Sequence, residues 1–150
     1  YERKGVPQLL QAFSSLKRRD AQLVIIGADR KLQATKAAAA GLGLAGRTHF
    51  LGPVRDVRPF YAAADGFVLP TIYDPCPNAA LEAMACGTPV VTSATSAIPE
   101  VAGEGAILVD PTDPKAIADA LLRLEILTHT PIINKPISMP GVSKEAPETE

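Results

Sequence analysis

At 150 residues with 47 % apolar side chains, the chain is long enough to bury one core and too apolar to be wholly disordered. Its formal net charge of −1 excludes the basic footprint of a nucleic-acid or anionic-membrane binder. No apolar run approaches the roughly 20 residues that span a bilayer, and with 5 % aromatics and no Trp the core must be aliphatic.

The opening Tyr1-Glu2-Arg3-Lys4-Gly5 has no initiator Met and leads almost at once into a helix, so the chain is expected to start inside a domain. Val6, Leu9, Leu10, Phe13 and Leu16 recur at helical spacing behind Pro7, which suits a first turn. Gln22 to Gly27 is a short, nearly continuous apolar run, as expected of a strand covered on both faces. An Ala-rich helix follows over Lys31 to Leu42, then a strand over Thr48 to Gly52. Asp56 is expected to cap a short helix running to Ala63. Gly66 to Pro70 reads as the third strand, and Asn78 to Cys86 as a helix stopped by Gly87. Pro89 to Thr92 is the fourth strand, Ile98 to Ala102 a brief helix and Ala106 to Val109 the fifth strand. Asp113-Pro114 caps a last helix with Ile117, Ala120, Leu121 and Leu124 on one face.

Strands alternating with helices through short loops predict a doubly wound parallel α/β sheet, Rossmann-like, with ligands at the carboxyl ends of the strands. Such a fold opens with a strand, so one strand is expected to be missing ahead of Tyr1. The domain is expected to cover residues 1–126. Over 127–150, Pro131, Pro136, Pro140 and Pro147 punctuate a polar stretch that predicts an extended, disordered tail. Cys76 and Cys86 match neither metal-ligand nor disulfide spacing and are expected to be small buried thiols. His49, inside a strand, is expected to be packed or satisfied by a partner, and His129 falls in the tail. Arg55 and Arg58 read as a solvated face that could also flank a ligand.

Gly41-Leu42-Gly43-Leu44-Ala45-Gly46 matches the dinucleotide pattern G-x-G-x-x-G, which requires a strand before it and a helix after it. Here a helix precedes and a strand follows, so a glycine-rich helix stop is expected and no nicotinamide cofactor is implied.

The informative stretch runs from Pro70 to Ser93, PTIYDPCPNAALEAMACGTPVVTS. Asp74 lies in the loop after the third strand and Glu82 on the following helix, so the two carboxylates should face one crevice from different elements. The helix that opens at Asn78 should leave backbone N–H groups free at Ala79, Ala80 and Leu81, which suits a diphosphate. Glu82 would repel phosphates but can accept two hydrogen bonds from a vicinal diol such as a ribose. Asp74 can do the same for a sugar ring on the other side. Taken alone, Glu82 reads equally as a surface carboxylate, and Asp74 as a turn residue beside Pro75.

Leu81-Glu82-Ala83-Met84-Ala85-Cys86-Gly87-Thr88-Pro89-Val90-Val91 resembles the C-terminal signature of the family 4 retaining glycosyltransferases of the GT-B fold. The likeness is nearest to the lipopolysaccharide-core glucosyltransferase (WaaG-like) branch. That family has two acidic residues separated by seven others, the second being the Glu that opens this run at Glu82, and Asp74 stands where its first Glu usually stands. Arg3-Lys4-Gly5 resembles the family's lysine-glycine element, Leu51-Gly52-Pro53-Val54 its base-holding loop, and Pro99-Glu100-Val101 the stretch after the fourth strand.

The resemblance implies the C-terminal, nucleotide-sugar-binding half of a GT-B enzyme. Such an enzyme moves a hexose, here glucose from UDP-glucose, to an acceptor hydroxyl with retention. It implies that Lys4 and Arg3 meet the diphosphate, that Pro53 and Val54 hold the base, and that Asn78, Ala79, Ala80 and Leu81 present the helix terminus. Asp74, Glu82 and Lys4 would be the catalytic set. No cofactor and no metal are expected, because fixed positive groups would meet the leaving-group charge. The acceptor, a glycan or lipid-linked glycan of lipopolysaccharide synthesis, would bind an N-terminal domain that this chain does not contain. The expected location is cytoplasmic, at the inner face of the membrane. A non-catalytic nucleotide-binding module on the same fold stays open.

Overall fold

The computed structural model describes residues 2–28 and 30–128. The predicted tail at 129–150, with His129, lies outside the described residues. A 3-10 turn over Glu2–Lys4 leads into α1 (Val6–Ser15). There follow β1 (Leu23–Ile26), α2 (Leu32–Gly41), β2 (Thr48–Gly52), α3 (Arg58–Ala63), β3 (Phe67–Leu69) and α4 (Asn78–Ala85). The chain continues through β4 (Val90–Ser93), α5 (Ile98–Ala102), β5 (Ala106–Val109) and α6 (Pro114–Thr128). The alternation of predicted elements is therefore present throughout, and α6 runs beyond the domain end expected at 126.

All strand pairs are parallel, as short crossovers through helices require. The doubly wound parallel arrangement expected from the sequence is present, its five described strands forming two pieces, β1-β2 and β3-β4-β5. Both pieces feed one core. Leu23 and Ile25 of β1 join Val91 of β4 and Val109 of β5 beneath Leu9, Leu10 and Phe13 of α1 and Ile117 and Leu124 of α6. Among the described residues β1 and β3 each have a ladder partner on one side only, so each keeps an open edge.

The glycine motif ends α2. Gly43 takes a left-handed φ of 73°, its N–H donates to the Ala40 carbonyl, and the Leu44 N–H donates to the Ala39 carbonyl. This is a Schellman stop with buried Ala39 and Leu44 as its apolar contact. Gly87, at φ 74°, closes α4 in the same way, with Gly87 N–H on the Met84 carbonyl and Thr88 N–H on the Ala83 carbonyl. Asp113 caps α6 through its carboxylate on the Lys115 N–H, 2.8 Å.

Two local expectations are corrected. Asp56 does not cap α3. It stands one residue ahead of the N-cap position, where its carboxylate accepts from the Arg58 N–H at 3.1 Å and from the Arg58 guanidinium at 2.8 Å. The cysteines are free and exposed rather than buried, because Cys76 sits in the loop before α4 and Cys86 at its C-cap. His49 is partnered as expected, its Nε2 lying 2.8 Å from Gln22 Oε1.

Candidate donor-binding site

The site is assembled where β3 and β4 end. Thr71 follows β3 and is fully buried. Its carbonyl accepts from Ser93 Oγ at 2.6 Å, which ties together the carboxyl ends of these neighbouring strands. Its hydroxyl donates to the Arg3 carbonyl at 2.9 Å, and the Ile72 N–H donates to the same oxygen at 2.9 Å. Gly5 then packs its backbone against Pro70. A Cβ there would lie 1.8 Å from the Pro70 carbonyl oxygen, and φ at Gly5 is 71°, so only glycine fits.

This clamp delivers Lys4 to Asp74. The ammonium donates to Asp74 Oδ2 at 2.5 Å, while Oδ1 accepts from the Cys76 N–H at 3.3 Å. Asp74 is buried and Lys4 half exposed. Arg3 goes elsewhere, its guanidinium lying over the exposed Tyr73 ring at 5.9 Å.

On the other flank, Glu82 rises from the second turn of α4 and is exposed. One of its oxygens accepts from the Tyr61 hydroxyl at 3.3 Å. Tyr61 is itself fixed: its carbonyl accepts from Thr88 Oγ1 at 2.8 Å and its ring meets Phe67 edge-on at 5.4 Å. Burial, then the neighbouring Glu82 charge and its hydrogen bond, push the Tyr61 phenol up to about 12, so it stays a donor at neutral pH. Glu82 also borders a hollow of about 440 Å³ with Arg55, Asp56, Val57, Arg58, Ala85 and Cys86. Arg58 holds the Asp56 carboxyl down at about 2. A second hollow, about 450 Å³, lies by Pro89, Glu104 and Arg123 and is lined by none of the predicted site residues.

The start of α4 differs from the expectation of free amides at Ala79, Ala80 and Leu81. Pro77 is the N-cap, and its carbonyl accepts from Ala80 N–H at 2.9 Å and Leu81 N–H at 3.2 Å. Asn78 N–H donates to the Cys76 carbonyl at 2.8 Å. A tight first turn therefore uses these groups internally, and only Ala79 N–H keeps no backbone acceptor among the described residues.

The structure thus brings Lys4 onto Asp74 and puts Glu82 beside the Arg55–Arg58 loop. Pro53 and Val54 lead into that loop at the end of β2, Pro53 exposed and Val54 half-buried, but do not line the hollow. Asp74 lies in the loop before α4 and Glu82 within the helix, and their hydrogen-bond partners are separate. Sequence reasoning missed Tyr61 and Thr71. Thr71 follows Pro70 directly at a strand end, the place where a ligand-side anchor is expected, whereas nothing local marks Tyr61.

Residues 1–125 match the family described as "Glycosyl transferases group 1". The chain is 41 % identical over 80 residues to the O-antigen chain mannosyltransferase B of Escherichia coli, covering 52 % of this chain and 21 % of that one. It is 34 % identical over 122 residues to the lipopolysaccharide core biosynthesis glycosyltransferase LpsE of Rhizobium meliloti, covering 80 % and 35 %. Among solved structures it superimposes on WaaG, a glycosyltransferase involved in lipopolysaccharide biosynthesis, with a TM-score of 0.74 at 26 % identity over 81 % of this chain and 34 % of that one. The chain spans about a third or less of the length of these relatives.

Proposed function

The chain belongs to the group 1 glycosyl transferases, and we propose that it forms the donor-binding half of a retaining hexosyltransferase. In this reading it takes glucose from UDP-glucose to an acceptor hydroxyl on a glycan or lipid-linked glycan. The observation that carries the proposal is the pairing of opposite chemistries around the start of α4. An ammonium and a buried carboxylate stand on one flank, and an exposed carboxylate held by a tyrosine stands on the other.

Glu82 accepts the vicinal ribose hydroxyls, with Tyr61 fixing the carboxylate's orientation. The base lies along the loop from Pro53 and Val54 to Arg58. Lys4 and the Ala79 N–H meet the diphosphate, and Asp74 accepts from sugar hydroxyls. As the anomeric bond breaks, charge grows on the departing phosphates, and the preplaced ammonium stabilises it. With that charge met by protein groups, transfer proceeds without a metal, and chelator leaves the rate unchanged. Acceptor groups come from another domain, so the purified chain binds donor and transfers no sugar by itself; turnover by this chain alone would overturn that part. A strand from a preceding segment fills the space between the open edges of β1 and β3. Among the described residues no helix is long and apolar enough to cross a membrane. The likeness to lipopolysaccharide glycosyltransferases supports a place in the cytoplasm at the membrane's inner face.

A thermal-shift screen of UDP-, GDP- and ADP-sugars on the full-length protein tests the reading. UDP-glucose should raise Tm most. The E. coli relative is by name a mannosyltransferase, which makes GDP-mannose the competing donor. No shift with any nucleotide sugar would overturn the proposal.

A further inference from the structure

Lys4 and Asp74 already satisfy one another at 2.5 Å, at the place where the donor-site reading needs both of them. Their mobilities differ. Lys4 is half exposed, on a flexible stem with three donors, and can swing toward an arriving phosphate. Asp74 cannot follow, because it is buried and its other oxygen is held by the Cys76 N–H. A diphosphate that draws the ammonium away leaves a buried carboxylate short of its partner and facing a second anion. Both are unfavourable.

We propose that Asp74 is a specificity-determining residue: it opposes the binding of a bare nucleoside diphosphate and favours one that carries a sugar, whose hydroxyls replace the Lys4 ammonium on the carboxylate. The inference rests on the donor-site reading. It assigns Asp74 a task beyond contact with the sugar, since the same carboxylate helps to expel the nucleoside diphosphate product once the sugar has gone.

Calorimetry on the full-length protein tests this with UDP and UDP-glucose, and with GDP and GDP-mannose in parallel. Asp74→Asn should bind the bare diphosphate roughly tenfold more tightly than the parent, about the worth of one charge-assisted hydrogen bond that need no longer be given up. Its preference for the sugar-bearing form should fall. In a Lys4→Gln background the gain from Asp74→Asn should shrink severalfold, because only the repulsion between carboxylate and diphosphate is left to relieve. Asp74→Ser, also uncharged, must act in the same direction and serves if the Asn variant does not fold. Equal or weaker binding of the diphosphate by the uncharged variants overturns the inference while leaving the donor site standing. A gain that is undiminished without Lys4 shows plain repulsion with no part for the ion pair and overturns it too. A parent that binds neither diphosphate nor sugar donor overturns the donor-site reading, and this inference with it.

Discussion

Asp74 and Glu82 lie eight positions apart and flank the same helix start, but they are held in contrasting ways. Asp74 is buried, with both oxygens engaged, and its main partner comes from a residue 70 positions away in sequence. Glu82 is exposed and steadied by one 3.3 Å bond from Tyr61. The first is preassembled and cannot move without loss; the second has free acceptor capacity and a fixed direction. The contrast matches the tasks proposed for them, a sugar that must be placed to within a fraction of an ångström and a ribose that need only be gripped.

The contrast is most severely tested at Gly5. An alanine there meets the Pro70 carbonyl and a left-handed backbone together. We expect Gly5→Ala to cost about 2–4 kcal/mol of stability from overpacking and φ strain combined, read as a lower urea midpoint. An unchanged midpoint would mean that the clamp delivering Lys4 is loose. Next comes Glu82→Ala, expected to weaken UDP binding by about 1.5–3 kcal/mol, the range of a charge-assisted hydrogen bond, with the urea midpoint little moved; equal affinity would remove Glu82 from the site. Tyr61→Phe should cost about 0.5–1.5 kcal/mol of stability through one lost hydrogen bond. The raised phenol carries a matching pH signature. Its stabilising contribution is full below the ordinary tyrosine value of about 10 and is lost as pH rises from there toward about 12, which a tyrosinate absorbance titration would follow. The smallest effect is expected at Arg58→Ala. Its pair with Asp56 is exposed, so thermal melting should register little or no loss.

The alternation of strands and helices was legible because each element carries local signals. Gly87 and Gly43 supply left-handed stops, Asp113 a cap, and β4 a β-branched Val90-Val91-Thr92 run in a strand that is buried throughout. The site was legible only in part. Asp74 and Glu82 stood out through the family-like run around them, but their spacing said nothing of the Lys4 ion pair, which depends on Thr71 drawing the chain's first residues across the end of β3. The amides of Ala80 and Leu81 looked open because a helix start normally leaves them so, whereas Pro77 closes a tighter turn. The cysteines read as core thiols by general tendency, but both fall at the ends of α4, where side chains reach water.

The unpaired flanks of β1 and β3 have a consequence for anyone handling the polypeptide by itself. Each presents a row of backbone donors and acceptors beside an apolar interior, a template that recruits any extended peptide able to complete the ladder. In concentrated solution the first such peptide to arrive is another copy in a partly opened state. Self-association on storage, relieved by dilution or by adding a short Val/Ile-rich peptide, is how those two edges should make themselves felt.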